Sequence, residues 1–478
     1  MATRMSRVLA RSLGGRLYST KVAAKQQKGQ QSGVVTATQN NVKIAAVENG
    51  GPVSRVTFMV KAGSRYEDFS NLGVTHLLRH FTHLSTAENS SLKVIKDVEI
   101  SGGGISTTTT RDYASITFSC TRDKMADLFS ICAPAVTRSA LFDWDVFHLN
   151  TSFKTQVDVG SLQGQPELEL LELLHGAAFR GGSLGNSLYI SPRFIGKLNK
   201  SNVMQFVANN YTPERTAIAA SNVDIEQLAQ LVSTMKFPRE KFAEQAQAFE
   251  GLEEGQEFTS YLNASAESDG KARYVGGESR VPAGGLSQTY VAFATEGPSL
   301  TSPELLSASV LQNIIGLNNN IKYSTNKSGS KLASAVEKST NVPFELQGLS
   351  LNYTDSGLFG FSVSASPDDI GAVLKAAFKA YGDLSKSGVT DEEVQRGKNQ
   401  LKSAIAMELE SSEALVDNLA QQLIGSDKIV SVNDVLKMVD NITTADVVNA
   451  AKKFAGGKPT LASLGNLQNV PLLEDLLK

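Results

Sequence analysis

The feature that most constrains this 478-residue chain is that one order of segments occurs twice. In the first half, β-rich runs at 42–47 and 54–60 flank Asn49-Gly50, which reads as a hairpin. Leu92, Val94, Ile95, Val98 and Ile100 fall at helical spacing over 91–100. A second hairpin is predicted from 105–110 and 113–120, around Arg111-Asp112. Helices are predicted at 122–138, 143–157, 167–180, from Ser191-Pro192, at 202–210 and at 224–236, with a strand at 216–221. After residue 271 the order returns. A strand at 287–294, helices at 302–315 and 331–338, and strands at 346–353 and 357–365 precede five further helices and a last strand at 459–464. The end of each half is also worded alike: Asn202-Val203 to Tyr211-Thr212-Pro213 precedes one strand, and Asp446-Val447 to Phe454-Ala455-Gly456 precedes the other. Such a repeat predicts two similar halves, 41–236 and 272–478, each burying its own core. Between them, 237–271 loses periodicity and turns charged, with Gly, Glu and Gln prominent, as a polar linker does. The fold class is α+β, each half a mostly antiparallel sheet packed with helices.

Composition excludes several functions. Lys and Arg number 46 against 48 Asp and Glu, so no basic surplus points to nucleic acid. No apolar run of about 18 residues occurs, so no membrane-spanning helix is expected. The two cysteines, Cys120 and Cys132, form no Cys-x-x-Cys pair and read as small buried hydrophobes. Haem-attachment and iron–sulfur spacings are missing too, so no redox centre is expected. Gly102-Gly103-Gly104 lacks the Gly-x-Gly-x-x-Gly order and follows a helix, which argues against nucleotide binding.

The N-terminus carries a message of its own. Arg4, Arg7, Arg11 and Arg16 alternate with Val8, Leu9, Leu13 and Leu17, and no acid occurs before residue 23. An amphipathic, Arg-rich, acid-free leader reads as a mitochondrial transit peptide, residues 1–18, cut between Tyr18 and Ser19. Residues 19–40 read as a flexible, extended start.

The chemistry-bearing stretch is 71–88, which holds His76, His80 and His83, three of the five histidines. On a helix His76 and His80 are i,i+4 neighbours and could share one zinc ion. In a His-x-x-Glu-His peptidase the intervening Glu takes a proton from metal-bound water. Here Arg79 stands at that position; a guanidinium accepts no proton and repels a dication. His148 and His175 are isolated in sequence and read as structural, and the acidic run 167–172 as a solvated helix face.

The segments 73–80, 102–110, 174–179, 186–189, 274–278, 353–361 and 446–454, in this order behind such a leader, resemble the pitrilysin superfamily. That superfamily includes the mitochondrial processing peptidases. Within it the chain is most similar to the core subunits of mitochondrial ubiquinol–cytochrome c reductase, complex III. The resemblance implies two homologous pitrilysin-type domains. Active members use two His, a Glu base and a distal Glu ligand. His76 and His80 match, Arg79 replaces the base, and the distal window holds Gln156, Val157 and Asp158, of which only Asp158 could substitute. The implied site is therefore a vestigial motif of His76, Arg79 and His80, with no catalytic residue, no metal and no cofactor. Tyr353 lies in the strand that helps to hold substrate in active members; without catalytic partners it reads as architecture. The loop 317–330 stands where a non-catalytic processing subunit has a glycine-rich loop, and it contains no glycine run. The implied function is a non-catalytic structural and assembly subunit, peripheral on the matrix side of the inner membrane. Its implied partners are a homologous core protein 1, cytochrome b, cytochrome c1 and the Rieske protein, in a dimeric complex. The alternative is a subunit of a presequence-processing metallopeptidase.

Overall fold

The computed structural model describes residues 34–477 apart from 81–84, 87–88, 138–141, 151–152, 181, 249–255, 257–258, 261–269, 317–329 and 426–428. The proposed transit peptide and its Tyr18–Ser19 cut, His83, and all but the last residue of the 317–330 loop therefore lie outside the described residues.

The first half runs β1 (Val35–Gln39), β2 (Val42–Val47), β3 (Val53–Val60), α1 (Val74–His80), α2 (Ser91–Ile100), β4 (Gly104–Thr109), β5 (Ala114–Thr121), α3 (Met125–Thr137), α4 (Asp143–Asn150), α5 (Phe153–Gln163), α6 (Pro166–Phe179), α7 (Lys200–Asn210), β6 (Thr216–Ser221), α8 (Ile225–Ser233) and α9 (Pro238–Ala248). The second runs β7 (Gly277–Pro282), β8 (Thr289–Glu296), α10 (Leu305–Ile315), α11 (Lys331–Ser339), β9 (Phe344–Asn352), β10 (Gly357–Ala365), α12 (Ile370–Ser387), α13 (Asp391–Leu409), α14 (Ser412–Gly425), α15 (Val432–Asn441), α16 (Thr444–Ala455), β11 (Thr460–Gly465) and α17 (Leu473–Leu476).

The two sheets have matching topology. The first is ordered β1-β2-β6-β3-β5-β4 and the second β7-β11-β8-β10-β9. In each, the last strand of the half is inserted between the first strands and runs parallel to one of them: β6 to β2, and β11 to β7. All other pairings are antiparallel.

This insertion corrects the first predicted hairpin. β2 and β3 do not pair, because β6 lies between them. Every residue of β6 is buried, and an all-buried strand needs ladder partners on both edges. Asn222, just past β6 with φ 57°, closes the 48–52 loop over that strand end. Its Oδ1 accepts from the Asn49 and Gly51 amides at 3.0 and 3.2 Å, and its Nδ2 donates to the Val53 carbonyl at 2.8 Å. The true hairpin is β1–β2, turned at Asn40 and Asn41, whose φ of 51° and 63° suit asparagine. The end of the segment read as flexible is thus an edge strand. The β4–β5 hairpin around Arg111-Asp112 occurs as expected.

Other boundaries shift. Residues 143–157 divide into α4 and α5, and Ser191-Pro192 opens a set of turns rather than a helix. The linker's first turns form α9, and Phe237 and Phe242 are buried in the first half's core. β7 was missed because none of its six residues is fully buried at a sheet edge. Cys120 and Cys132 are free and buried, as their apolar reading required.

Period-two alternation explains how the halves join. On one face of each sheet the strands present bulky residues to their own helices: Ile44, Val56, Phe58 and Ile218 in the first, Val291, Phe293, Phe361 and Leu461 in the second. The opposite face carries small residues at its centre. Ala45, Ala217 and Ala219 seat Leu419, Ala420 and Leu423 of α14, which belongs to the other half. Ala292, Ala294 and Ala462 likewise seat Leu170, Leu174 and Ala178 of α6. Each half lends one helix to the other's sheet. Alanine lets the helix approach closely, and each fully buried leucine contributes about 1.5–3 kcal/mol.

Candidate functional site

Helix α1 is set from its N-terminus. Gly73 has φ 92°, and a Cβ there would lie 2.5 Å from Ile190 Cγ1, so glycine is required. The buried Glu67 carboxyl accepts from the Gly73 amide at 2.8 Å, the Thr75 amide at 2.8 Å and Thr75 Oγ1 at 2.6 Å. It thereby satisfies donors that the first turn leaves open. Burial outweighs these bonds and raises its pKa to about 7. Val74, Leu77 and Leu78 enter the core, which leaves His76, Arg79 and His80 on the face towards α5.

Asp158 of α5 meets all three. Its Oδ2 lies 3.3 Å from His76 Nε2, 3.1 Å from His80 Nε2 and 2.6 Å from Arg79 Nη2. The metal-ligating atoms of His76, His80 and Asp158 lie within 4.8 Å of one another. Tyr189 packs beside them, its ring centroid 5.6 Å from that of His76 and 5.7 Å from the Arg79 guanidinium carbon. Burial and then the nearby Arg79 charge lower the His76 pKa to about 4, so the imidazole is neutral at pH 7. Burial pushes Asp158 up, but Arg79 and the histidines prevail and hold it below its ordinary value. Asp158, two residues after Gln156, is the member of the distal window that reaches the motif; Gln156 is exposed.

Do these residues fit a zinc ion? Separations of 3.1–3.3 Å are those of neighbouring tetrahedral ligands at the usual zinc distances. Two observations oppose the fit. The first is the Arg79 guanidinium, bonded to the very oxygen a metal would need. The second is the His76 tautomer. The Ile190 amide donates to His76 Nδ1 at 3.3 Å, so the ring proton sits on Nε2 and points at Asp158. A zinc-ligating Nε2 must be bare, with its partner nitrogen donating to an acceptor. The residues do not fit a zinc centre. Arg79, not a carboxylate, stands between the two histidines, and the described residues supply no peptidase step.

A second polar cluster lies between the halves, and most of it was not foreseen. Buried Arg65 bonds Asp112, Thr354 Oγ1 at 2.9 Å, both oxygens of Asp355 at 2.7 Å and the Gly270 carbonyl. Arg111 pairs with Glu172 at 2.8 Å, so the acidic face of α6 is partly an internal ion pair rather than wholly solvated. Tyr353 Oη donates to His175 Nε2 at 2.7 Å, while His175 Nδ1 donates to the Leu171 carbonyl at 2.7 Å. His175 is therefore a bridge rather than an isolated group. Its pKa is well below the ordinary value through burial, then the Arg111 charge. Tyr353 is fully engaged within the chain, in keeping with an architectural role. A hint was available in sequence: Arg111, Asp112, Tyr353 and Asp355 all sit in the tight turns of corresponding hairpins. The side chain of His148 lies outside the described residues.

Residues 43–191 match the family described as insulinase (peptidase family M16), and residues 197–401 the peptidase M16 inactive domain. The chain belongs to the M16 peptidase family. Within it, the chain is similar to cytochrome b-c1 complex subunit 2, mitochondrial, of Homo sapiens, with 33% identity covering 96% of this chain and 98% of the relative. The Mus musculus protein of that name is 31% identical over the same shares. The alpha subunit of the mitochondrial-processing peptidase of Solanum tuberosum is 26% identical, covering 91% of this chain and 82% of its own. A chain of "Complex III2 from Candida albicans, Inz-5 bound" has the same fold, with TM-score 0.75 and 20% identity over 93% of this chain and 99% of that one.

Proposed function

We propose that the chain is a non-catalytic structural and assembly core subunit of the mitochondrial ubiquinol–cytochrome c reductase, complex III. The observation that carries this reading is 33% identity, end to end, with a cytochrome b-c1 complex subunit 2. The site geometry supports it, since Arg79 stands at the position of a general base and pairs with Asp158, the distal carboxylate that reaches the motif among the described residues. The His76–Arg79–His80 motif is then vestigial and Asp158 its tie to α5, with neither metal nor cofactor. The chain supplies bulk and contact surface, while electron transfer belongs to its partners. Those partners are a homologous core protein, cytochrome b, cytochrome c1 and the Rieske protein. Among the described residues no helix is long and apolar enough to cross a membrane, in keeping with peripheral attachment through partners on the matrix side of the inner membrane. The leader 1–18 directs import and leaves after Tyr18. The domain bounds 41–236 and 272–478 mark two units of sequence, although α6 and α14 are exchanged in space.

Native gel electrophoresis of detergent-solubilised mitochondria, with mass spectrometry of the band, tests the reading. Co-migration with cytochrome b, cytochrome c1 and the Rieske protein is expected. A smaller soluble heterodimer that cleaves presequences and stops in chelator would overturn it in favour of a processing-peptidase subunit.

A further inference from the structure

We infer that the Arg79 guanidinium is the resident cation of the His76–His80–Asp158 cluster, occupying the position of a metal ion and tying α1 to α5 without one. This inference concerns the chain itself and holds whatever complex contains it. A metal centre does two things for its protein: it neutralises converging ligands and it cross-links the elements that carry them. Arg79 does both here. Its Nη2 lies 2.6 Å from Asp158 Oδ2, so the carboxylate that would otherwise face two imidazoles unpaired is neutralised from within the chain. Because Arg79 is on α1 and Asp158 on α5, the same bond joins the two helices. Adding a dication would leave the cluster with a charge surplus, and would have to displace the guanidinium from Asp158 Oδ2.

The hydrogen-bond directions agree. His76 accepts at Nδ1 from the Ile190 amide and donates at Nε2 to Asp158. The ring thus adds a donor to the aspartate, as a second partner beside Arg79, where a metalloprotein would have a bare nitrogen. Tyr189 completes the arrangement, with the Arg79 guanidinium over its ring face and the His76 ring meeting it edge-on at 61°. Asp158 is held by the Arg79 cation and by the His76 Nε2 donor, with His80 Nε2 3.1 Å away.

Three measurements on the full chain test this. Isothermal titration with zinc chloride should show no saturable site in the wild type. One equivalent bound, and lost in His80→Ala, would overturn the inference. In metal-free buffer Arg79→Gln should lower the melting temperature by about 2 °C, and Arg79→Lys should recover part of that loss. If Arg79→Gln melts with the wild type, or Arg79→Lys falls as far as Arg79→Gln, the guanidinium charge is not what holds the cluster. Nitrogen-15 spectra should place the His76 proton on Nε2; a proton on Nδ1 would overturn the inference without any variant having to fold.

Discussion

Arg65 donates through Nη2 to both carboxylate oxygens of Asp355, 2.7 Å from each, across 290 residues of sequence and the boundary between the two halves. The same side chain also binds Asp112, so one guanidinium serves two aspartates that belong to corresponding hairpin turns.

Replacing this guanidinium, as in Arg65→Met, leaves Asp112 buried without its ion-pair partner. A cost of about 3–5 kcal/mol in urea denaturation is expected, the usual effect of breaking a buried pair on one side. Asp355 is 36% exposed, and Asp355→Asn should cost about 1 kcal/mol or less. Equal costs at the two positions would refute the idea that the first pair is the buried anchor.

Tyr353→Phe removes the donor to His175 Nε2 and leaves that nitrogen, 2.7 Å from the missing hydroxyl, without it. Stability should fall by about 1–3 kcal/mol. In the assembled complex, electron transfer per folded chain should be unchanged, because the hydroxyl serves the fold. An unaltered melting curve would show that the bridge contributes nothing.

Glu67 gives stability a pH dependence of unusual sign. Its native pKa is about 7 against 4.5 for an ordinary glutamate, so the folded state keeps a proton that the unfolded chain releases. Its contribution is complete below about pH 4.5 and is lost as pH rises through about 7. The stability of the wild type relative to Glu67→Gln should therefore decline across that window, by up to about 3 kcal/mol. A difference that stays flat with pH, measured by chemical denaturation, would contradict the shift.

Leu174 in α6 and Leu419 in α14 are buried against the opposite half's sheet. Leu174→Ala and Leu419→Ala should each cost about 2–5 kcal/mol. Each should shift one common unfolding transition, seen alike by circular dichroism and by fluorescence, because each half needs the other's helix to cover its sheet. Two separate transitions would show that the halves fold independently of the exchange.

Much of the fold was legible in advance. The α+β class, the two halves, the β4–β5 hairpin and nearly every long helix follow from apolar periodicity, which records directly which face of an element is covered. The β2–β3 hairpin was misread because local turn chemistry at Asn49-Gly50 was satisfied equally well by a loop crossing the end of β6. At the candidate site, the His76–Arg79–His80 spacing was plain, since three residues on one short helix share a face whatever surrounds them. Asp158 could be named only as a candidate in the right window.

The sequence by itself determined the periodicities, the repeat of element order, the placing of Arg79 beside two histidines one helical turn apart and the resemblance to a peptidase family. These are properties of neighbours along the chain, within reach of a helical turn or a strand's alternation. Only the tertiary structure decided that β6 and β11 insert between earlier strands, and that α6 and α14 change places. It alone decided that Arg65 holds two distant aspartates, and that Asp158 lies against Arg79 while the Ile190 amide sets the His76 proton. Those relationships join residues tens to hundreds of positions apart, and their energies arise from burial and exclusion of water, which exist only once the two halves have closed on each other.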